Sequence, residues 1–175
     1  MAAPTNPAFN IDTFTSKLTK GGALASLFEC ELNASGKGTK GDIGSWSFLC
    51  KGVSFPASAL DVATVTYMGR AIQLPGNRAA AQLTTSVYND EGMEIRNHIE
   101  NWMEMLNSHR TNKRDVNSVQ INSYTGSLTV EQLRKAGTGV SKKYEFIQAW
   151  PSACGEIAVA WDTNDIQTFD ITWEY

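Results

Sequence analysis

Apolar and polar residues alternate at every second position through much of this chain. That is the period of a β-strand with one buried face, and it constrains the fold more than any other feature. The carboxyl end carries it most cleanly, with Phe169, Ile171, Trp173 and Tyr175 set against Asp170, Thr172 and Glu174. Phe28, Cys30 and Leu32 alternate with Glu29 and Glu31, and Trp46, Phe48 and Cys50 with Ser47, Leu49 and Lys51. Leu83, Thr85 and Val87 alternate with Thr84, Ser86 and Tyr88. Tyr144, Phe146, Gln148 and Trp150 do so with Glu145, Ile147 and Ala149. Each run predicts a strand with one face to a core and one to solvent. Two further β-prone runs, Leu60–Met68 and Ala71–Leu74, meet at Gly69-Arg70 and predict a long hairpin over about 60–74. The hairpin has few aromatic anchors of its own. It folds back on its own core, or it completes its burial against another subunit.

One segment departs from this period. Ile95, Ile99, Trp102 and Leu106 recur at the spacing of one helical face, which predicts a single amphipathic helix over about 90–107. Asn89 or Asp90 can cap it, and Asp90, Glu91 and Glu94 favour the positive end of its dipole. A shorter helical turn is predicted near Ile11–Leu18, with Asn10 as its cap. Loops are expected at Asn33–Gly44, with Gly36, Gly38 and Gly41, at His109–Val116 and at Gly137–Lys142; a turn is expected at Gly52–Pro56, because proline cannot donate to a central ladder. The expected fold is mainly β: a two-sheet β-sandwich or barrel, one flanking helix and a protruding hairpin. No repeat or linker divides the chain, so residues 1–175 read as one domain with an amino-terminal arm over 1–20.

Composition narrows the function. The chain has 175 residues, 42% apolar and 19% charged, which is the balance of a globular protein. Its net charge of −3 argues against gripping nucleic acid by its phosphates. No apolar run reaches the roughly 18 residues that span a bilayer, and no secretory signal opens the chain. The charge is unevenly spread. Residues 108–143 carry seven basic and two acidic side chains, and residues 144–175 carry six acids and no Lys or Arg. Such segments pair within a subunit, pair between neighbours, or remain two solvated surfaces.

The residue types that carry chemistry do not converge. The two histidines, His98 and His109, have no cysteine or second carboxylate at ligand spacing, and both read as surface side chains. Cys30 and Cys50 have two readings, a pair facing each other across a hairpin or, favoured here, two buried thiols acting as small hydrophobes; Cys154 reads as a turn residue after Trp150-Pro151. The Gly36–Gly41 stretch lacks phosphate-loop spacing. The acids at 90–94 are explained by a helix start. No enzyme, metal or cofactor is expected.

The ordered set of motifs resembles the tail tube proteins of contractile-tailed bacteriophages. It begins with Phe48-Leu-Cys50-Lys-Gly-Val-Ser-Phe-Pro56, and continues through Gly69-Arg70-Ala-Ile72, Gly76-Asn-Arg78, Val87-Tyr-Asn89-Asp90-Glu91, Arg96 and Trp102. It ends with Trp150-Pro151, Gly155-Glu156-Ile157, Trp161-Asp162, Asn164 and Ile166-Gln167-Thr168-Phe169. The loop at 33–44, the amino-terminal arm and residues 109–139 depart from the pattern.

The resemblance implies a structural virion protein. Six subunits would close into a ring, and rings would stack into a hollow inner tube that conducts DNA into the host. The hairpin would reach toward the adjacent ring through Val62, Val65, Tyr67, Met68, Gly69, Arg70 and Ile72. The oppositely charged segments would close the ring, with Arg110, Lys113, Arg114, Lys142 and Lys143 facing Asp162 and Asp165. Implied partners are further copies of the chain, the sheath, baseplate and tail terminator proteins, a tape-measure protein in the lumen, and DNA in transit only. The implied location is the virion, after assembly in the host cytoplasm. Two alternatives stand beside this reading. One is the tube of a type VI or extracellular contractile injection system, whose tubes share the architecture. The other is a monomeric β-sandwich binding module, with Trp46, Trp150 or Trp161 as ligand platforms.

Overall fold

The computed structural model describes residues 11–18, 21–34, 43–79, 81–135 and 139–175. Eight strands dominate: β1 (Phe28–Asn33), β2 (Cys50–Ser54), β3 (Ala59–Tyr67), β4 (Arg70–Ala79), β5 (Leu83–Tyr88), β6 (Gly126–Leu133), β7 (Val140–Cys154) and β8 (Thr168–Glu174). Among the described residues four α-helices accompany them, α1 (Ile11–Lys17), α2 (Trp46–Leu49), α3 (Glu94–Leu106) and α4 (Ile121–Tyr124), with a 3₁₀ turn at Val116–Ser118. The expected helix near Ile11 is therefore present, although Asn10 lies outside the described residues. So do Gly36, Gly38, Gly41 and Gly137.

Two compact units divide the chain. The larger comprises residues 30–130 and 144–175, the smaller residues 1–29 and 131–143. In the smaller unit the Gln132 side-chain amide donates to the carbonyls of Leu24 and Leu27 at 2.8 and 2.6 Å. Lys143 meets Glu131 at 2.8 Å.

The strands form two sheets. Six lie in the order β1-β6-β7-β8-β5-β2, and β3 pairs with β4 in a separate two-stranded sheet. In the larger sheet β5 sits against β8 with Leu83 opposite Trp173 and Val87 opposite Phe169. Leu83, Thr85, Val87, Phe169, Ile171 and Trp173 are all buried, so the period-2 pattern of β5 and β8 is realised as one dry face. Fully burying a large apolar side chain stabilises by about 1.5–3 kcal/mol relative to leaving it exposed. Helix α3 covers this face with Ile95, Ile99 and Trp102, as its 3.6-residue period requires. The Trp102 and Trp46 rings both stand edge-on to Trp173, each with centroids 5.8 Å away. Two indole N–H groups are satisfied: Trp173 donates to the Thr85 hydroxyl at 2.9 Å and Trp102 to the Tyr124 carbonyl at 2.7 Å. Buried polar groups cost free energy unless paired, so Thr85 belongs in this core as an acceptor.

The large sheet curls. Its outer strands β1 and β2 bring Cys30 and Cys50 close enough for their thiols to interact, so the two buried cysteines face each other across the curl and not across a hairpin. The partner thiol first, and burial second, push Cys50 well above the ordinary thiol value. Gly126 marks another close approach. A Cβ there would stand 2.7 Å from the Asn33 carbonyl oxygen, so β6 admits no side chain at this point.

Several expectations are corrected. Trp46–Leu49 is a helical turn, not a strand; it buries Trp46 and leaves Phe48 exposed. Strand β2 occupies Cys50–Ser54, where a turn was expected, and Pro56 falls just beyond it. Helix α3 starts four residues later than its pattern suggests. Residues 90–93 form a turn closed by the Met93 N–H on the Asp90 carbonyl at 3.0 Å. The Asp90 carboxylate then accepts the Glu94 N–H at 3.1 Å, so its capping role survives from outside the helix. His98 is buried beside Trp102, not on the surface. Strand β7 begins at Val140, which puts Lys142 on a strand and not in a loop, and it runs through to Cys154, which is no turn residue. The alternation along β7 also fails. Gln148 adopts a left-handed backbone (φ 61°), which shifts the face, so Phe146 is buried before it and Ala149 and Pro151 after it. Strand β6 and helix α4 lie within 109–139, where no element was expected beyond the loop at its start.

Candidate assembly surfaces

The smaller sheet is unlike the larger one. Strands β3 and β4 run antiparallel, with Val65 opposite Ile72 and Tyr67 opposite Arg70. Met68 and Gly69 form the two-residue turn, and both have positive φ (48° and 77°). That combination is the type I′ turn, whose twist matches paired strands. Glycine adopts it without cost, whereas methionine in this conformation is unfavourable by about 1–2 kcal/mol. A strained apolar residue therefore sits at the tip, and it is 86% exposed.

All nine residues of β3 are exposed, and all of β4 except Gly76. Leu60, Val62, Val65, Tyr67, Ile72 and Leu74 stand open with Met68. The inter-ring candidates Val62, Val65, Tyr67, Met68, Gly69, Arg70 and Ile72 thus gather on one projecting ribbon. Monomeric proteins seldom expose so long an apolar edge, and an isolated two-stranded hairpin is marginal in water.

The charged candidates are also on the surface. Arg110, Lys113 and Arg114 lie in the loop after α3, and all are exposed. That loop is held at its start by Glu104, whose carboxylate accepts the His109 N–H at 3.1 Å. Hydrogen bonding to Ser108 first, and to His109 next, holds the Glu104 carboxyl below the usual carboxylate range. The Arg114 guanidinium stacks over the Tyr124 ring at 5.1 Å. Asp162 and Asp165 lie in the loop between β7 and β8. Among the described residues, no ion pair within the subunit reaches Asp162, Asp165, Arg110 or Lys113. Arg110, Lys113 and Arg114 thus share one loop and Asp162 and Asp165 another, while Lys142 and Lys143 lie on β7, where Lys143 meets Glu131.

The β7–β8 loop carries Gly155-Glu156-Ile157, Trp161-Asp162, Asn164 and Ile166-Gln167 of the resemblance, together with the candidate Asp165. Its feet are fixed. The Gly155 N–H donates to the Asp170 carbonyl at 2.7 Å, and the Arg96 guanidinium donates to the Gly155 carbonyl at 3.0 Å. At the far end the Asn89 N–H donates to the Gln167 carbonyl at 2.9 Å, and the Asn89 side-chain amide to the Gln167 side-chain oxygen at 3.0 Å. Between these anchors Val159, Trp161 and Ile166 project into solvent, Trp161 fully so. The usable signal was an apolar triplet lying outside any strand period. Of the three tryptophans considered as ligand platforms, Trp46 is in the core, Trp150 is half-buried and only Trp161 is open.

Chemically the surface is plain. Among the described residues no group of three histidine, cysteine or acidic side chains could hold a metal ion. A shallow groove of about 270 Å³ is lined by Asn33, Asn122, Thr125, Gly126, Ser127, Ile147 and Gln148, with no ionisable side chain among them. No helix among the described residues is long and apolar enough to cross a membrane.

Residues 13–175 match the phage tail tube protein family. The chain is 28% identical over 151 residues to the tail tube protein gp19 of Enterobacteria phage T4, a match covering 86% of each chain. Among solved structures, it is similar to a chain of the sheath–tube complex of the extracellular contractile injection system PVC, in the extended state. That match has a TM-score of 0.60 at 17% identity and covers 91% of each chain. A chain of the sheath/tube terminator of the same system gives 0.63 at 15%, covering 89% of this chain and 93% of that one. At these identities the solved structures speak for the fold alone. A curled β-sheet, a bare projecting hairpin and a match that runs from residue 13 to the last residue lead to one conclusion: the chain belongs to the phage tail tube protein family.

Proposed function

We propose that this chain is the major subunit of the inner tube of a contractile phage tail, in which six copies close into a ring and rings stack into a hollow conduit for DNA. The observation that carries the reading is the exposed apolar hairpin of β3 and β4 on a chain of this family. In a stack, Val62, Val65, Tyr67, Met68, Gly69, Arg70 and Ile72 would meet the adjacent ring. Ring closure would be a head-to-tail contact between unlike faces. It would bring Arg110, Lys113, Arg114, Lys142 and Lys143 of one copy toward Asp162 and Asp165 of the next.

Further copies of the chain are the main partner. The sheath, baseplate and terminator proteins follow from the assemblies in which similar folds occur, and a tape-measure protein would occupy the lumen until DNA passes. The role is mechanical and electrostatic, without catalysis. A net charge of −3 suits a wall that DNA slides past. Both units would serve as one tube domain, assembled in the host cytoplasm and retained in the virion. The injection-system alternative is supported by fold alone, whereas the relative at 28% identity is a phage protein.

The test is to add purified subunit to preassembled baseplates of the same phage and image the product by negative-stain electron microscopy. Hollow tubes growing from the baseplates are expected. A subunit that stays monomeric at every concentration, with and without baseplates, would refute the reading.

A further inference from the structure

We infer that the β7–β8 loop is the anchor of the ring-closing contact, with Trp161 seated on the basic loop after α3 of a second copy of this chain. The inference rests on the ring proposed above and adds a central apolar residue to its charge pairs. Three observations carry it. First, the loop is a projection with fixed feet, tied down at Gly155 by Arg96 and Asp170 and at Gln167 by Asn89. A segment held at both ends loses little conformational freedom on docking. Second, its outer part exposes Val159, Trp161 and Ile166, and none of the described residues covers the Trp161 ring. Tryptophan in the middle of an interface is the side chain whose truncation most often costs binding.

Third, the charges specify the occupant. Residues 156–167 carry Glu156, Asp162 and Asp165 and no basic side chain. The loop after α3 offers Arg110 and Lys113, which form no ion pair within the subunit among the described residues. Both loops are on every copy, so the match is between unlike surfaces of identical chains, and repeated head to tail it builds the ring proposed above. An arginine or lysine beside an indole face adds cation–π attraction to the ion pairs.

Tryptophan fluorescence tests this directly. Trp46, Trp102 and Trp173 are buried and Trp150 is half-buried, so acrylamide quenching of the free subunit reports chiefly on Trp161. On assembly of the wild-type protein that quenchable component should disappear. Trp161→Phe should assemble with no comparable change. Trp161→Ala should raise the concentration needed for assembly about thirty-fold, the effect of losing an interface hot spot. Reversing Asp162 and Asp165 to lysine should leave folded monomers, and adding Arg110→Glu and Lys113→Glu in the same chain should restore rings. Near-ultraviolet circular dichroism checks that each variant is folded. A Trp161 that stays quenchable in assembled tubes, or charge-reversed chains that close rings unaided, would overturn the inference while leaving the tube itself standing. A wild-type chain that never assembles would instead refute the proposed function.

Discussion

Strands β5 and β3 are both β-prone and rich in apolar residues, and they meet opposite fates. Along β5 every second residue is sealed: Leu83, Thr85 and Val87 face Trp173, Ile171 and Phe169 of β8 beneath α3. Along β3 no residue is buried at all, although Leu60, Val62, Val65 and Tyr67 are as apolar as anything in the core. An apolar, β-prone run therefore reports that a segment is a strand. It does not report which molecule supplies the cover. In β5 the cover is the same chain, and in β3 it is left open.

That contrast can be broken from either side. The largest effect is expected in the closed region. Trp173→Ala empties the centre of the Trp46–Trp173–Trp102 cluster and should cost about 3–5 kcal/mol of subunit stability in a denaturant titration. A loss below about 1 kcal/mol, ordinary for a surface change, would mean the cluster is not the core. Thr85→Val keeps the shape but strips the acceptor from the buried Trp173 indole, and should cost about 1–3 kcal/mol. No change there would show that water or another group satisfies the indole. The smallest effect on the subunit is expected in the open region. Met68→Asp should shift subunit stability by no more than about 0.5 kcal/mol, because the side chain is exposed at the hairpin tip. Yet it should block stacking of rings, read by electron microscopy. Normal tubes from that variant would remove the hairpin from the inter-ring contact.

Much of the closed region was legible in the sequence. The faces of β5, β8 and α3 follow periods of 2 and 3.6, because local geometry and burial agree there. Three kinds of feature were not legible. Trp46–Cys50 alternates like a strand, but a helical turn is equally compatible with so short a run, and packing of Trp46 on Trp173 selects the helix. The face shift in β7 depends on one left-handed residue, Gln148, which no local signal marks. His98 sits one residue before Ile99 on the apolar side of α3, and a histidine's mixed chemistry let it be read as exposed. For the assembly surfaces, the hairpin was visible as a pattern and its bareness was not. The β7–β8 loop has no period at all, so only its fixed feet and open tip identify it.

The central claim is that the hairpin is a surface awaiting another copy, while the β5–β8 region is complete in the lone subunit. Amide hydrogen exchange measured on the free subunit and on assembled tubes tests it most directly. The paired amides of β3 and β4 should exchange quickly in the subunit, since a ribbon without a buried face opens readily. They should become at least a hundredfold slower in the tube, while those of β5 and β8 are protected equally in both states. Equal protection of β3 and β4 before and after assembly would contradict the account.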